Sequence, residues 1–164
     1  MLSLRGNVLE HGAPRFFRRL AEGVFDLDDL RVRTGQLADF IGAAAARYGF
    51  STSRLCAVGY SNGANIAASL LLTQPDVLGA AVLYRAMVPF EPETLPALGA
   101  KKVLVSAGPS DPMIPRTGTE RLVQLLVDAG AQVELTWQES AHGLVQGDVT
   151  IGQKFVADLV SSGG

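Results

Sequence analysis

Ser61 lies in Gly59-Tyr60-Ser61-Asn62-Gly63, where the apolar run Leu55-Cys56-Ala57-Val58 gives way to the Ala-rich stretch 64–72. The run is that of a buried parallel strand, and the stretch reads as a helix ending before Pro75. A serine on so sharp a strand-to-helix turn is forced into a strained backbone conformation. Glycines two residues to either side let strand and helix approach without a Cβ clash. The hydroxyl is then exposed beside a helix N-terminus, whose free N–H groups favour a developing negative charge. That arrangement suits a nucleophile.

A structural turn is the competing explanation. Gly supplies 18 of 164 residues, so a chance Gly-x-Ser-x-Gly is expected on the order of once in ten such chains. The partners downstream decide. A serine hydroxyl needs a base to take its proton, and the base needs an orienting acid. For a serine on a strand–turn–helix, these follow in the order Ser, Asp or Glu, His, each on a loop after a later strand.

There are two histidines. His11 precedes Ser61 in a Gly- and Pro-containing loop. His142 follows the alternating run Gln132-Val133-Glu134-Leu135-Thr136-Trp137 and lies in Ser140-Ala141-His142-Gly143. Order and strand end both select His142, with a solvated loop histidine as the alternative.

The acid must come from Asp76, Glu91, Glu93, Asp111, Glu120, Asp128, Glu134 or Glu139. Lys102-Val103-Leu104-Val105-Ser106 is strand-like and runs into Ala107-Gly108-Pro109-Ser110-Asp111-Pro112. Asp111 thus sits just past the carboxyl end of a parallel strand, where an orienting carboxylate belongs. An Asx-turn ahead of Pro112 is the structural alternative, and both roles are compatible.

Strands at 55–58, 80–84, 102–106 and 132–137 alternate with helical stretches, which gives a mostly parallel sheet with helices on both faces. Asp28 or Asp29 caps a helix running to about Tyr48, with Leu37, Phe40, Ile41 and Ala44 on one face. Residues 119–129 form a helix closed by Gly130. Phe155, Val156, Leu159 and Val160 face the core from a last helix, and the Ser-Gly tail frays.

Three blocks carry a family resemblance: Gly-Tyr-Ser-Asn-Gly-Ala at 59–64, Gly-Pro-Ser-Asp-Pro-Met-Ile-Pro at 108–115 and Ala-His-Gly at 141–143. They resemble the phospholipase/carboxylesterase family, small bacterial α/β-hydrolases related to the dienelactone hydrolases. The early stretches Arg5-Gly6-Asn7-Val8-Leu9-Glu10 and Pro14-Arg15-Phe16-Phe17-Arg18-Arg19-Leu20-Ala21-Glu22-Gly23-Val24-Phe25-Asp26 look like the branch associated with hydroquinone resistance. The resemblance implies Ser61 as nucleophile, Asp111 as acid and His142 as base.

It also implies a strand with a His-Gly loop, and a helix, ahead of Met1-Leu2-Ser3-Leu4, which itself reads as the tail of a strand. That loop supplies one oxyanion donor in the family, and the backbone N–H of Asn62 supplies the other. The expectation is therefore one α/β-hydrolase domain over residues 1–164, N-terminally truncated. Losing one oxyanion donor removes about a hundred- to thousandfold in turnover, and an interior strand would be left unpaired. A mis-called start codon is favoured over a fragment or a shortened, self-associating protein.

Composition fits a globular enzyme, with 48% hydrophobic and 18% charged residues. A net charge of −2 with no basic stripe leaves nothing to recruit nucleic acid. Cys56 is the only cysteine, so no internal disulfide forms, and it reads as a core residue. The absence of a signal peptide or an apolar run of spanning length leads to the expectation of a cytoplasmic protein away from membranes.

The expected activity is hydrolysis of an ester or thioester through an acyl-enzyme on Ser61, with no metal or organic cofactor. Phe17, Met87, Met113 and Leu144 flank the catalytic loops or the early block and are the expected pocket walls, core packing being their alternative. The cluster Arg15-Phe16-Phe17-Arg18-Arg19 reads as a flap over the pocket or as a solvated turn with two residues packed inward. With little charge nearby, a short or aromatic uncharged ester is expected. The contrasting reading is a non-catalytic hydrolase remnant whose sheet edge binds a partner or forms a homodimer. Lactone hydrolysis is a third, less favoured because dienelactone hydrolases usually carry a cysteine nucleophile.

Overall fold

The computed structural model describes residues 1–162. Four parallel strands form the central sheet: β5 (Cys56–Tyr60), β6 (Ala80–Tyr84), β7 (Lys102–Ala107) and β8 (Gln132–Trp137), side by side in that order. A helix follows each of them except β6: α2 (Asn62–Thr73), α3 (Arg116–Asp128) and α4 (Gln146–Ser162). The two middle strands are almost wholly buried, as β-branched and aliphatic runs covered on both faces must be.

Alternation along β6 and β7 divides the core. Ala81, Leu83, Val103 and Val105 pack with Leu70 and Leu71 of α2, Leu122 and Leu126 of α3, and Ile41 of α1 (Leu27–Tyr48). Val82, Tyr84 and Leu104 face the other way, onto Phe155 and the partly buried Ile151, Val156 and Leu159 of α4. Helices on both faces of a parallel sheet make this the α/β architecture expected. No helix among the described residues is long and apolar enough to cross a membrane.

Before α1 the chain forms two small antiparallel pairs, β1 (Val8–Glu10) with β2 (Ala13–Arg15) and β3 (Arg19–Ala21) with β4 (Val24–Phe25). Residues 1–4, expected to end a strand, lie outside regular structure.

Other expectations are corrected in detail. Asp26, not Asp28 or Asp29, caps α1: its carboxylate accepts the Asp29 N–H at 3.0 Å. Phe40 and Val160 point to solvent, because their helices bury a narrower stripe than the apolar residues alone suggest. The elbow strand β5, whose apolar run alone reads as buried, stands at the sheet edge with Val58 exposed, in line with the expectation of an unpaired strand. Gly130 closes α3 at φ +89°, as expected. Of the tail, Ser161 and Ser162 are still helical, and the two glycines lie outside the described residues.

Candidate active site

Ser61 sits between β5 and α2 with φ +51° and ψ −114°, a conformation side-chain-bearing residues rarely hold. Two backbone bonds pin it: its N–H donates to Tyr84 O and its C=O accepts from Asn65 N, both at 2.9 Å. Gly59 is required here, since a Cβ would come within 2.5 Å of Gly63 O and 2.6 Å of Ala64 N. Gly63 is less critical, because a Cβ there would meet only a Phe16 ring carbon at ordinary contact distance.

His142 Nε2 lies 3.0 Å from Ser61 Oγ, and His142 Nδ1 lies 2.8 Å from Asp111 Oδ2. The other carboxylate oxygen, Asp111 Oδ1, accepts the Met113 N–H at 2.8 Å and the Ile114 N–H at 3.2 Å. Asp111 therefore makes its Asx-turn with one oxygen and meets the histidine with the other. A carboxylate can only accept, so Nδ1 carries the proton and Nε2 is left to accept from the serine hydroxyl. The Asp111 side chain is 2% exposed and that of His142 is 22% exposed. Water reaches the imidazole but scarcely the carboxylate.

The loops carrying Asp111 and His142 touch. A Cβ on Gly108 would collide with the Ser140 and Ala141 carbonyl oxygens. From β5, the Tyr60 hydroxyl donates to His142 O at 3.2 Å and its ring lies 5.5 Å from the imidazole, centroid to centroid. Asn62 opens α2, so its N–H has no intrahelical acceptor and remains available beside Ser61. The Asn62 side chain points elsewhere. Its Oδ1 accepts the Phe16 N–H at 2.7 Å and ties the N-terminal segment to the elbow.

A narrow cleft of about 30 Å³ opens at Ser61 and His142. Met87, Met113, Ile114, Phe25, Gly23, Asn65, Arg15, Arg19 and Arg85 also contribute to its walls. Met87 and Met113 are thus where they were expected. Phe17 is not: it is fully buried beside Leu30 and Ile66, edge-on to Phe25. Leu144 is largely exposed and does not line the cleft. A wider groove of about 450 Å³ runs between residues 3–7 and the Arg33–Phe40 side of α1, but no residue of the Ser61–His142–Asp111 chain lines it. Of the two, only the smaller cleft reaches Ser61 and His142.

Charge is the feature that the residues alone do not reveal. Arg15 and Arg19 share one carboxylate, Glu10, at 3.2 Å and 2.8 Å. Burial, outweighing the attraction of Glu10, lowers the affinity of the Arg15 guanidinium for its proton, and repulsion from Arg19 adds to this. The buried Arg15 Nε is the atom 3.2 Å from Glu10 Oε2, an ion-pair contact without hydrogen-bond geometry. The cleft is therefore not poor in charge, and that ground for an uncharged substrate is lost. Burial pushes the Cys56 thiol up to about 11, which disfavours the thiolate.

Residues 15–157 match the model of the dienelactone hydrolase family. The chain is 45% identical to MhqD of Bacillus subtilis (strain 168), provisionally described as a hydrolase, over 98% of this chain and 80% of that one. Among solved structures it resembles a Bacillus cereus carboxylesterase at 45% identity and a TM-score of 0.91, covering 94% of this chain and 73% of that one. It also resembles YahD, solved with malic acid, at 28% identity and a TM-score of 0.90, covering 96% and 79%.

Proposed function

Because the chain belongs to the dienelactone hydrolase family and is a hydrolase of the carboxylesterase type, we propose that it cleaves carboxylic esters or thioesters through an acyl-enzyme on Ser61. The observation that carries this reading is the continuous hydrogen-bonded chain from Ser61 Oγ through His142 to Asp111 Oδ2.

In the first half-reaction His142 Nε2 takes the hydroxyl proton as Oγ attacks the carbonyl carbon. The electron pair displaced onto oxygen meets the Asn62 N–H at the start of α2. Asp111 keeps the imidazole in the required tautomer and stabilises its charged form. The proton on Nε2 then passes to the departing alkoxide or thiolate as its bond to carbon breaks. Water repeats the sequence on the acyl-enzyme: its proton goes to Nε2, the acid is released and Ser61 is regenerated.

For the substrate, the arginine pair favours an ester that bears a carboxylate over a neutral one. Glu10 supplies one negative charge between two guanidiniums at the cleft, and a relative has been solved with malic acid, a dicarboxylic acid. The uncharged short ester remains the comparison substrate. Paired p-nitrophenyl esters and thioesters differing only in a terminal carboxylate test both points. Turnover lost in Ser61→Ala, with the acidic member of each pair preferred, is the expected result. Undiminished turnover in Ser61→Ala would end the nucleophile assignment, and preference for the neutral member would end the substrate one.

A further inference from the structure

The loop that carries His142 is held by a buried ion pair. Arg85 follows directly on β6 and turns at φ +53°, with its side chain fully buried. Its Nε donates to Ala141 O at 3.1 Å and its Nη2 to Gly143 O at 3.0 Å, the carbonyls of the residues on either side of His142. Nη2 also donates to Ser140 Oγ at 2.7 Å, and Nη1 donates to Ser106 O at 3.1 Å. Asp148, near the start of α4, takes the fork with Nη1 to Oδ1 at 2.9 Å and Nη2 to Oδ2 at 2.8 Å.

Asp148 extends the grip. It accepts the Ser106 hydroxyl at 2.6 Å and the Val145 N–H at 2.8 Å, so the segment from 140 to 145 is held at both ends. Burial alone would raise the Asp148 carboxyl, but hydrogen bonds from Arg85, Ser106 and the Val145 N–H hold it below its ordinary value. Fold stability is a poor explanation for the pair, since well-packed apolar side chains usually serve as well or better than a buried ion pair. A non-glycine residue at positive φ adds a second cost. What offsets both is a planar fork whose donors converge on the backbone around one histidine.

We propose that Arg85, backed by Asp148, is a positioning residue for His142: it sets the backbone on both sides of the imidazole so that Nε2 meets Ser61 and Nδ1 meets Asp111. The inference deepens the serine-hydrolase reading and rests on it for its effect on turnover.

Two variants test it. Arg85→Lys keeps a cation opposite Asp148 but cannot fork to both carbonyls. The double variant Arg85→Met/Asp148→Leu leaves no unpaired buried charge and so protects the fold if the single change does not. Each is checked for folding by circular dichroism and then read in two ways. In kinetics, kcat falls about a hundredfold, the scale expected for a base displaced by about an ångström, while KM stays within about threefold. In proton NMR, the far-downfield resonance of the His142 Nδ1–H bonded to Asp111 is lost or displaced. Wild-type kcat or an unmoved resonance in a folded variant overturns the inference. The resonance does not depend on which group attacks the substrate. If Ser61→Ala kept full turnover, the nucleophile assignment would fall while the resonance still decided the role of Arg85.

Discussion

The two ends of the active-site cleft are built differently. On the sheet side, Ser61, Asp111 and His142 stand on turns that follow β5, β7 and β8, and each is fixed by backbone hydrogen bonds or by a buried side chain. On the other side, Arg15 and Arg19 come from strands of three residues whose neighbours Leu9, Leu20 and Val24 are exposed. The contrast separates two demands. Groups that move protons need placement to within fractions of an ångström and suit a mount on the buried, hydrogen-bonded part of a fold. Groups that select a substrate by charge act over longer distances and tolerate a looser mount.

Changes on the sheet side should cost the most. Asp111→Asn preserves shape but lets the imidazole adopt the wrong tautomer, and kcat should fall by about 10³- to 10⁴-fold with little change in KM. Steady-state kinetics with one activated ester measures this. A loss below tenfold would mean that the acid is another residue, and the division between the two sides would lose its anchor.

Asp148→Asn reaches the same side through stability. It leaves Arg85 buried with a weakened partner, and about 3 kcal/mol of unfolding free energy should be lost near neutral pH. The sign follows from linkage. The folded-state value of Asp148 lies below its ordinary 3.8, so its contribution is fully present above that value and disappears as pH falls through the lower folded value. Denaturant titrations of wild type and variant should therefore differ by a constant amount above about pH 5 and converge below pH 3.8. A gap that widened in acid would contradict the depressed value.

Arginine changes in the N-terminal segment should be milder and selective. Arg19→Gln should reduce kcat/KM for a carboxylate-bearing ester by about tenfold, the scale of one partly solvated charge contact, and leave its neutral counterpart within about twofold. Equal losses on both esters would show that Arg19 holds the cleft together and does not select substrates, blurring the comparison.

The meeting of Ser61, Asp111 and His142 was legible in the sequence because the signals for it are local. Ser61 has a glycine that no other residue can replace, and Asp111 and His142 each follow a strand that can be read from its own residues. The four-stranded sheet was legible for the same reason. What escaped depends on tertiary direction. Inward packing was the alternative for Phe17, and the choice against it failed because the motif alone does not say that its ring turns to Leu30 while Arg15 and Arg19 face the cleft. Arg85 looks like an ordinary charge after a strand, since its positive φ and its approach to Ala141 and Gly143 arise only when four separate segments meet. The α1 cap was misplaced by two or three residues because three aspartates lie within four positions, and only Asp26 has the extended backbone a cap needs.

The most direct test of the central claim is intact-mass analysis of the protein after incubation with a fluorophosphonate, with Ser61→Ala as control. One adduct on the wild-type chain, absent from the control, is the predicted result. No adduct on a folded sample, or an adduct that persists in Ser61→Ala, would contradict it: the first would leave a hydrolase fold without a working nucleophile, and the second would place the nucleophile elsewhere.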